Sequence, residues 1–414
     1  MSKFNRGYKF KIYPTEDQAK QIDRFIDFTR YVYNWGIAKE REIYELCQEG
    51  LTDGKSFYTY FELETLFRYE RDNNPDMYWV KEFPLTTAKL ALRNVYNGYK
   101  RFFKDKNGKV NIPNFKSKKR SKKSFNTRND TFKIENDRIK IEGINTRISL
   151  GFNSELIINE NKNSSIQAIN PVITKDNLGD YYVSFSLEEE TKMLDKEKSE
   201  GIGIDVGERR TYTLSTGEII NQPKDKLEKL ERRRKMQQRH VTRDINRRYE
   251  ESIRTKTKYE DIPKSKRAIK REEKLRKTER KIHNIKNTFY DQTTSEIVKR
   301  NPEYVCMETL SVSDMKKSKN IRKDLNTSFY DMSQKMKNKC EQNNIPFIQA
   351  PTYFPSTKTC SNCGYIKIMK GKHTYKCPNC GMVEDRDINA AINLMNYGLE
   401  YNNNLVRGVY YDLG

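Results

Sequence analysis

The sequence has no apolar run approaching the roughly 20 residues of a membrane-spanning helix, and its beginning carries no apolar signal core. A membrane protein or an exported one is therefore not expected; the reading is a soluble cytoplasmic protein. Histidine is scarce, three residues in 414. His240 and His283 lie in charged stretches with no metal pattern around them and read as surface residues. Cysteine is sparse too: of seven, Cys47, Cys306 and Cys340 stand apart, and Cys306 sits in an apolar run. Free thiols of this kind fit a reducing compartment and exclude a disulfide framework. No helix-turn-helix pattern stands out, which weighs against a transposase that selects DNA without help.

What the chain has in excess is positive charge. Lys and Arg number 80 against 57 Asp and Glu, a net charge of +23. Basicity on that scale calls for a polyanionic partner, and nucleic acid is the usual one. The length allows two or more domains with real cores.

Against this background three carboxylates stand out. Gly201–Gly217, GIGIDVGERRTYTLSTG, reads as an apolar strand, a turn at Gly207 and a returning strand through Tyr212 and Leu214. Asp205 lies inside the first strand, where a charge is costly unless paired or bound to a metal. Glu308 ends the apolar run Tyr304–Met307, and Asp387 begins the helix of EDRDINAAINLM. Each has an ordinary explanation: a solvated edge position for Asp205, a helix N-cap for Asp387. Together they form the oxygen-rich set that Mg²⁺ takes. Two such ions clamp the attacking and leaving oxygens of a phosphoryl displacement.

The sharpest local signal is Cys360-x-x-Cys363, thirteen intervening residues, then Cys377-x-x-Cys380, each pair followed by Gly. Four thiolates in two knuckles match one tetrahedral structural Zn²⁺ with no open position. A redox role needs only one such pair. His373, between the pairs, is not needed as a ligand.

The rest can be read in order. Tyr8, Phe10 and Ile12 alternate as a strand, and Thr15 with Gln18 makes a capping box opening a helix with Ile22, Phe25 and Val32 on one face. A second helix spans about Pro84–Phe103, and the aromatics between read as bundle core rather than a base-stacking platform. The run 115–128, FKSKKRSKKSFNTR, is either a solvated charge run or a phosphate-gripping arm through Lys116, Lys118, Lys119, Arg120, Lys122 and Lys123. Residues 131–187 are β in pattern, with a turn at Asp176–Gly179, and suit a small oligonucleotide-binding-like barrel. Residues 224–300 read as charged helices broken near Pro263; Arg232, Arg233 and Arg234 belong either to surface salt bridges or to phosphate contacts. A polar stretch, Ser311–Thr327, with Lys316, Lys317, Lys319 and Lys323, reads as a lid or an ordinary loop. The residues after Tyr397 read as a weakly ordered tail.

The chain resembles the TnpB family, transposon-encoded RNA-guided nucleases related to the type V CRISPR effectors. The resemblance rests on GIDVG at 203–207, MET at 307–309, the two Cys pairs and RDINAAIN at 386–393. YKFKIYPTEDQ at 8–18 and RYVYNWGIA at 30–38 extend it over nearly the whole chain. Glu208 and Thr309 are local departures from the pattern. The resemblance implies a multidomain α+β fold: a β-barrel wedge (1–14 and 115–190) with an inserted helical domain (15–114), a linker (191–200), and an RNase H-like RuvC α/β nuclease (201–357 and 384–397). A zinc ribbon (358–383) is inserted in the nuclease, and a tail (398–414) follows. It makes Asp205, Glu308 and Asp387 the catalytic acids, holding two Mg²⁺. The expected partners are a guide RNA, from the transposon end or from a CRISPR array, and a double-stranded DNA target beside a short flanking motif. A miniature type V effector and a nuclease-dead RNA-guided repressor are the alternatives, and the intact acids weigh against the second.

Overall fold

The computed structural model describes residues 3–52, 54–105, 108–135, 137–151, 168–191, 194, 196–207, 210–309, 326–367 and 373–406. Two compact units emerge, Asn5–Glu189 and Glu190–Gly414 with Met1–Phe4. Among the described residues no helix is long and apolar enough to cross a membrane. The lid expected at Ser311–Thr327 falls largely on 310–325, outside the described residues, as does Glu208.

In the first unit, β1 (Lys3–Tyr13) leads into α1 (Glu16–Gln48) through the expected capping box: Gln18 N donates to Thr15 Oγ1, and Thr15 N to Gln18 Oε1. The backbone groups a helix leaves open at its start are thereby satisfied. Helices α2 (Tyr60–Asn73) and α3 (Leu85–Lys104) follow, with a 3₁₀ turn at Pro75–Glu82 between them. Phe28, Phe67, Leu92 and the half-buried Trp35 pack together as the core of this helical layer. Of the aromatics between α1 and α3, Phe67 is core and Phe57, Tyr60 and Phe83 pack against the core, whereas Phe61, Tyr69, Tyr78 and Trp79 are exposed.

Six further strands complete a curled antiparallel half-barrel: β2 (Lys123–Asn126), β3 (Lys133–Glu135), β4 (Arg138–Lys140), β5 (Ile148–Leu150), β6 (Ile169–Lys175) and β7 (Tyr181–Glu190). Their order is β2-β6-β7-β1-β5-β4-β3, so β1 joins the sheet centrally although four elements separate it from β2. The β6–β7 hairpin turns at Asp176, whose carboxylate accepts from Leu178 N and Asp180 N, with Gly179 at φ 88°. Ile12, Phe125, Ile173, Val183 and Phe185 fill the interior with Ile22 and Phe25 of α1.

The second unit is built on a five-stranded mixed sheet: β8 (Ile202–Asp205), β9 (Tyr212–Leu214), β10 (Ile219–Ile220), β11 (Val305–Glu308) and β12 (Phe347–Ala350), ordered β10-β9-β8-β11-β12. The first three run antiparallel; β8, β11 and β12 run parallel. The long helices α4 (Lys224–Arg254) and α5 (Lys266–Val298) form a hairpin, broken near Pro263 as expected. α6 (Asn326–Gln342) packs beside α5. A small ribbon, β13 (Thr374–Lys376) and β14 (Val383–Asp385), leads into α7 (Arg386–Val406).

α7 runs past the expected end at 397. Tyr397 packs on Phe354 at 4.9 Å between ring centroids and stacks on Tyr401 one turn on. Gly398 lies under the Tyr304 ring. The Asn-rich composition hid an aromatic i,i+4 pair that carries the helix onward.

α7 lies directly on β8. An added Cβ at Gly203 would meet Ala391 O at 2.0 Å and Met395 N at 2.4 Å, both backbone atoms that cannot turn aside. Gly203→Ala should therefore destabilise this unit by at least about 2 kcal/mol. Gly7→Ala, with nothing within 4 Å of its would-be Cβ, is the control. Urea unfolding of the two variants measures the difference, and equal loss would undo the account.

Candidate functional site

Parallel pairing of β8 and β11, with Ile204 opposite Met307, brings the next residues, Asp205 and Glu308, side by side at the carboxyl ends of their strands. In α/β sheets that edge is where ligands bind. β8 also marks the change from antiparallel to parallel order. The first turn of α7 supplies Asp387. All three carboxylates line one cavity of about 650 Å³, which Arg210, Arg386, Thr357 and His373 also border.

Asp385 answers the question of the helix cap. Its Oδ1 accepts from Asp387 N at 2.9 Å and Ile388 N at 3.3 Å, and from Arg210 Nη1 at 2.6 Å. Despite some desolvation, Arg210 and these backbone N–H groups hold its carboxyl below the usual range. Asp387 is therefore not the cap. Its carboxylate points into the cavity, with Arg386 on Oδ1 and Arg210 Nη1 at 3.7 Å from Oδ2.

The other two acids are less well compensated: for Asp205 the nearby Arg386 charge and a bond from the Val206 backbone are outweighed. Burial, then repulsion from Asp387 and Glu308, pushes Asp205 up to about 7. Burial alone raises Glu308 to about 7. Each side chain keeps partial contact with solvent, but surrounding atoms exclude most of the water that would stabilise its charge. Carboxylates assembled against their own repulsion, with room between them, fit hard cations. They line one cavity rather than forming a cluster as tight as the four cysteines.

The four cysteines do converge. Among the described residues they are the one group of His, Cys, Asp or Glu whose ligand atoms all lie within 4.8 Å of one another. The Cys360–Cys380 and Cys363–Cys377 sulfurs are 3.6 Å apart; tetrahedral zinc at about 2.3 Å from each sulfur separates them by about 3.8 Å. The two knuckles repeat each other. Gly364 N donates to Cys360 O and Gly381 N to Cys377 O, with both glycines at positive φ. Asn362 donates to the Cys380 sulfur and Asn379 to the Cys363 sulfur. Backbone and Asn362 N–H groups hold Cys380 down at about 6, which favours the thiolate that binds metal. The donor set fits one Zn²⁺, and His373 stands outside it.

Two residues that the sequence reading passed over join the ribbon to the acidic cavity. Asn389 and Asn393 lie one turn apart on α7, both buried. Asn389 bonds Thr359 O and Ser361 N, and Asn393 bonds Ser356 O and Thr359 O. Arg386 N adds a bond to His373 O. Two amides at i,i+4 on the apolar side of a helix were the available signal.

The basic run 116–123 is a folded turn against α1, not a free arm. Arg120 N bonds Ser117 Oγ and Ser121 N bonds Ser117 O. Lys116 is pinned: its backbone exchanges two bonds with the Asn34 amide, and its ammonium lies 3.7 Å from the Tyr33 ring centre. Burial lowers its pKa, and the half-buried side chain borders the same cavity as Lys122 and Lys123. Lys118 pairs with Asp27, Lys119 and Arg120 are exposed, and Lys122 and Lys123 line a cavity of about 290 Å³. On α4, Arg234 is half-buried against Glu231, while Arg232, 3.5 Å from Glu228, and Arg233 are both exposed.

Two family models match parts of the chain: "Cas12f1-like, TNB domain" over 329–394 and "Helix-turn-helix domain" of the OrfB/IS605 group over 1–49. Residues 3–48 themselves form β1 and α1 rather than two helices joined by a turn. A "Putative RNA-guided DNA endonuclease" of Streptomyces pristinaespiralis is 24% identical over 96% of this chain and 90% of its own length. "TnpB-like protein L79" of Acanthamoeba polyphaga mimivirus is 32% identical over 143 residues, 33% of this chain and 27% of its own. The mini-RNA-guided endonuclease CRISPR-Cas_phi3 shares the fold at TM-score 0.53 and 10% identity, over 95% of this chain and 92% of that one.

Two outcomes follow from the site's chemistry. Cys360→Ser or Cys377→Ser should lose zinc and destabilise the ribbon, because structural zinc contributes folding energy directly; well-folded, zinc-free wild-type protein on metal analysis would refute this. The second concerns pH. Asp205 is raised from 3.8 to about 7, so its contribution to stability is present below about pH 4 and is lost as pH rises through about 7. Asp205→Asn should gain stability relative to wild type between about pH 5 and 8, by on the order of 2 kcal/mol. Urea unfolding with zinc retained and no other divalent ion tests it. Parallel stability curves would reject it.

Proposed function

The chain belongs to the TnpB family, and from that premise we propose that it is an RNA-guided DNA endonuclease cutting at the Asp205–Glu308–Asp387 cavity. One observation carries the proposal: acids from two strands and a helix, spread over some 180 residues of sequence, line a single cavity although burial resists the charge of Asp205 and Glu308. The strand order of the second unit, three antiparallel then parallel, supports an RNase H-like nuclease domain over 201–357 and 384–397. The cysteine cluster supports a zinc ribbon over 358–383. The half-barrel (1–14 and 115–190) and the helices (15–114) are proposed as wedge and recognition domains, with 191–200 as linker.

Asp205, Glu308 and Asp387 would hold the two Mg²⁺, which when bound supply an activated water and charge neutralisation at the leaving 3′-oxygen. Asp385 and Arg210 hold the first turn of α7, and Asn389 and Asn393 fix the ribbon beside it. A ribbon so placed is suited to guiding a DNA strand into the cavity. Guide RNA is held through its backbone, and base pairing selects the target. Lys116, Lys118, Lys119, Arg120, Lys122, Lys123, Arg232 and Arg233 are the exposed or cavity-lining cations proposed for phosphate contact. Whether the guide is transposon-end RNA or CRISPR RNA is read by sequencing the RNA that co-purifies.

Asp205→Ala, Glu308→Ala and Asp387→Ala should each lower cleavage of a matched plasmid by 10³-fold or more (an order-of-magnitude expectation of roughly 4 kcal/mol). Guide and target binding should remain, because affinity comes from distributed cations and base pairing. Binding measured against salt should show a shallower slope when Lys122 and Lys123 are neutralised. Asp385→Ala frays the cap yet should keep partial cutting. Full cutting by Asp387→Ala, or loss confined to Asp385→Ala, overturns the assignment.

A further inference from the structure

We propose that Arg386 is a built-in counter-cation that occupies one oxygen of Asp387 until a divalent ion displaces it. The proposal rests on reading the acidic cavity as a metal-dependent cutting centre. Arg386 directs two N–H groups at Asp387 Oδ1, Nε at 3.0 Å and Nη2 at 2.9 Å. The other oxygen, Oδ2, has Arg210 Nη1 at 3.7 Å, and that nitrogen is already bonded to Asp385 at 2.6 Å. One edge of Asp387 is therefore covered and the other is open.

This is not an ordinary surface pair. Neighbours at i,i+1 on a helix point about 100° apart; Arg71 and Asp72 of α2 make such a contact at the exposed surface, so what distinguishes the Arg386 pair is that it turns toward a cavity. The Arg386 side chain is 29% exposed and borders the same cavity as the three acids. Its position is also unfavourable for the helix. It opens α7, where the positive end of the helix dipole repels a cation. A guanidinium held against that field needs local negative charge, which the acid cluster provides. Three carboxylates can then remain together before any metal arrives.

The same contact competes with metal. An entering ion needs Asp387 Oδ1 or must share the carboxylate with the guanidinium, so Arg386 sets how much ion the site demands. Arg210 differs, because its bond to Asp385 keeps it on the helix cap whether or not the cavity is filled. Arg386 is thus the exchangeable cation of the two.

Mn²⁺ binding to the full-length, zinc-loaded protein without nucleic acid tests the proposal, with free Mn²⁺ followed by electron paramagnetic resonance. Arg386→Gln should tighten binding by on the order of tenfold, the size of one charge-assisted bond. Arg386→Lys, which keeps the charge but loses the two-donor fork, should fall between that variant and wild type. Circular dichroism melts establish that the variants fold; if Arg386→Gln does not, tightening in Arg386→Lys carries the test. Unchanged or weaker Mn²⁺ binding in the folded variant overturns the proposal. Asp205→Asn separates the two readings. If it binds Mn²⁺ as wild type does, the metal-dependent centre itself fails, and the counter-cation with it. If it loses Mn²⁺ while Arg386→Gln is unchanged, the role of Arg386 alone is refuted.

Discussion

The contact of α7 on β8 at Gly203 is the constraint from which the rest of the site follows. Helix backbone meets strand backbone there with no side chain between them. Packed layers of secondary structure ordinarily lie about 10 Å apart with side chains between them; this approach is closer. Asp387 at the start of α7 is thereby held near the end of β8, where Asp205 lies. Ala390 and Ala391, fully buried on the same helix, keep the remaining contact narrow. The small residues of GIGID and NAA are thus two halves of one interface, and the acids are its outlying members.

That interface also sets the place of the ribbon. Asn389 and Asn393 leave α7 two and six residues after Asp387 and bond the chain entering the first knuckle. Neutral amides suit the task because they satisfy buried carbonyls without importing charge beside an acidic cavity. Arginine would reach as far but would add cations to a site that already carries Arg210 and Arg386. The electrostatic balance is narrow: enough positive charge to keep the acids together, too little to fill the cavity.

Much of this was legible in the sequence because the signals were local. The capping box at Thr15, the alternation of Tyr8, Phe10 and Ile12, and the Cys-x-x-Cys pairs each state their geometry within a few residues. The three acids could be picked out because each interrupts an apolar pattern. What stayed hidden depends on pairs distant in the chain. Asp387 reads as a helix cap in sequence, but the cap is Asp385, which Arg210, 175 residues away, joins. Lys116 looked like a member of a basic arm, but its role depends on Asn34 and Tyr33, 82 and 83 positions earlier by number. Composition misled at the C-terminal end, where polar residues outnumber the two tyrosines that hold the helix.

The chain carries +23 overall yet gathers three half-buried acids in one cavity, and the contrast has a mechanical use under the proposed function. Phosphate contacts that hold a nucleic acid act from many exposed cations, each weak and screened by salt. Cutting needs the opposite conditions: few groups, little water and a fixed geometry. Placing both at one surface would set the cations against the metal for the same carboxylates. The fold keeps them apart in kind. Lysines and arginines of α4 and of the 116–123 turn lie mainly exposed, while the carboxylates gather where two parallel strands end beneath a helix. A basic protein can then bind a polyanion broadly and still present a negative cavity to the one phosphate it acts on.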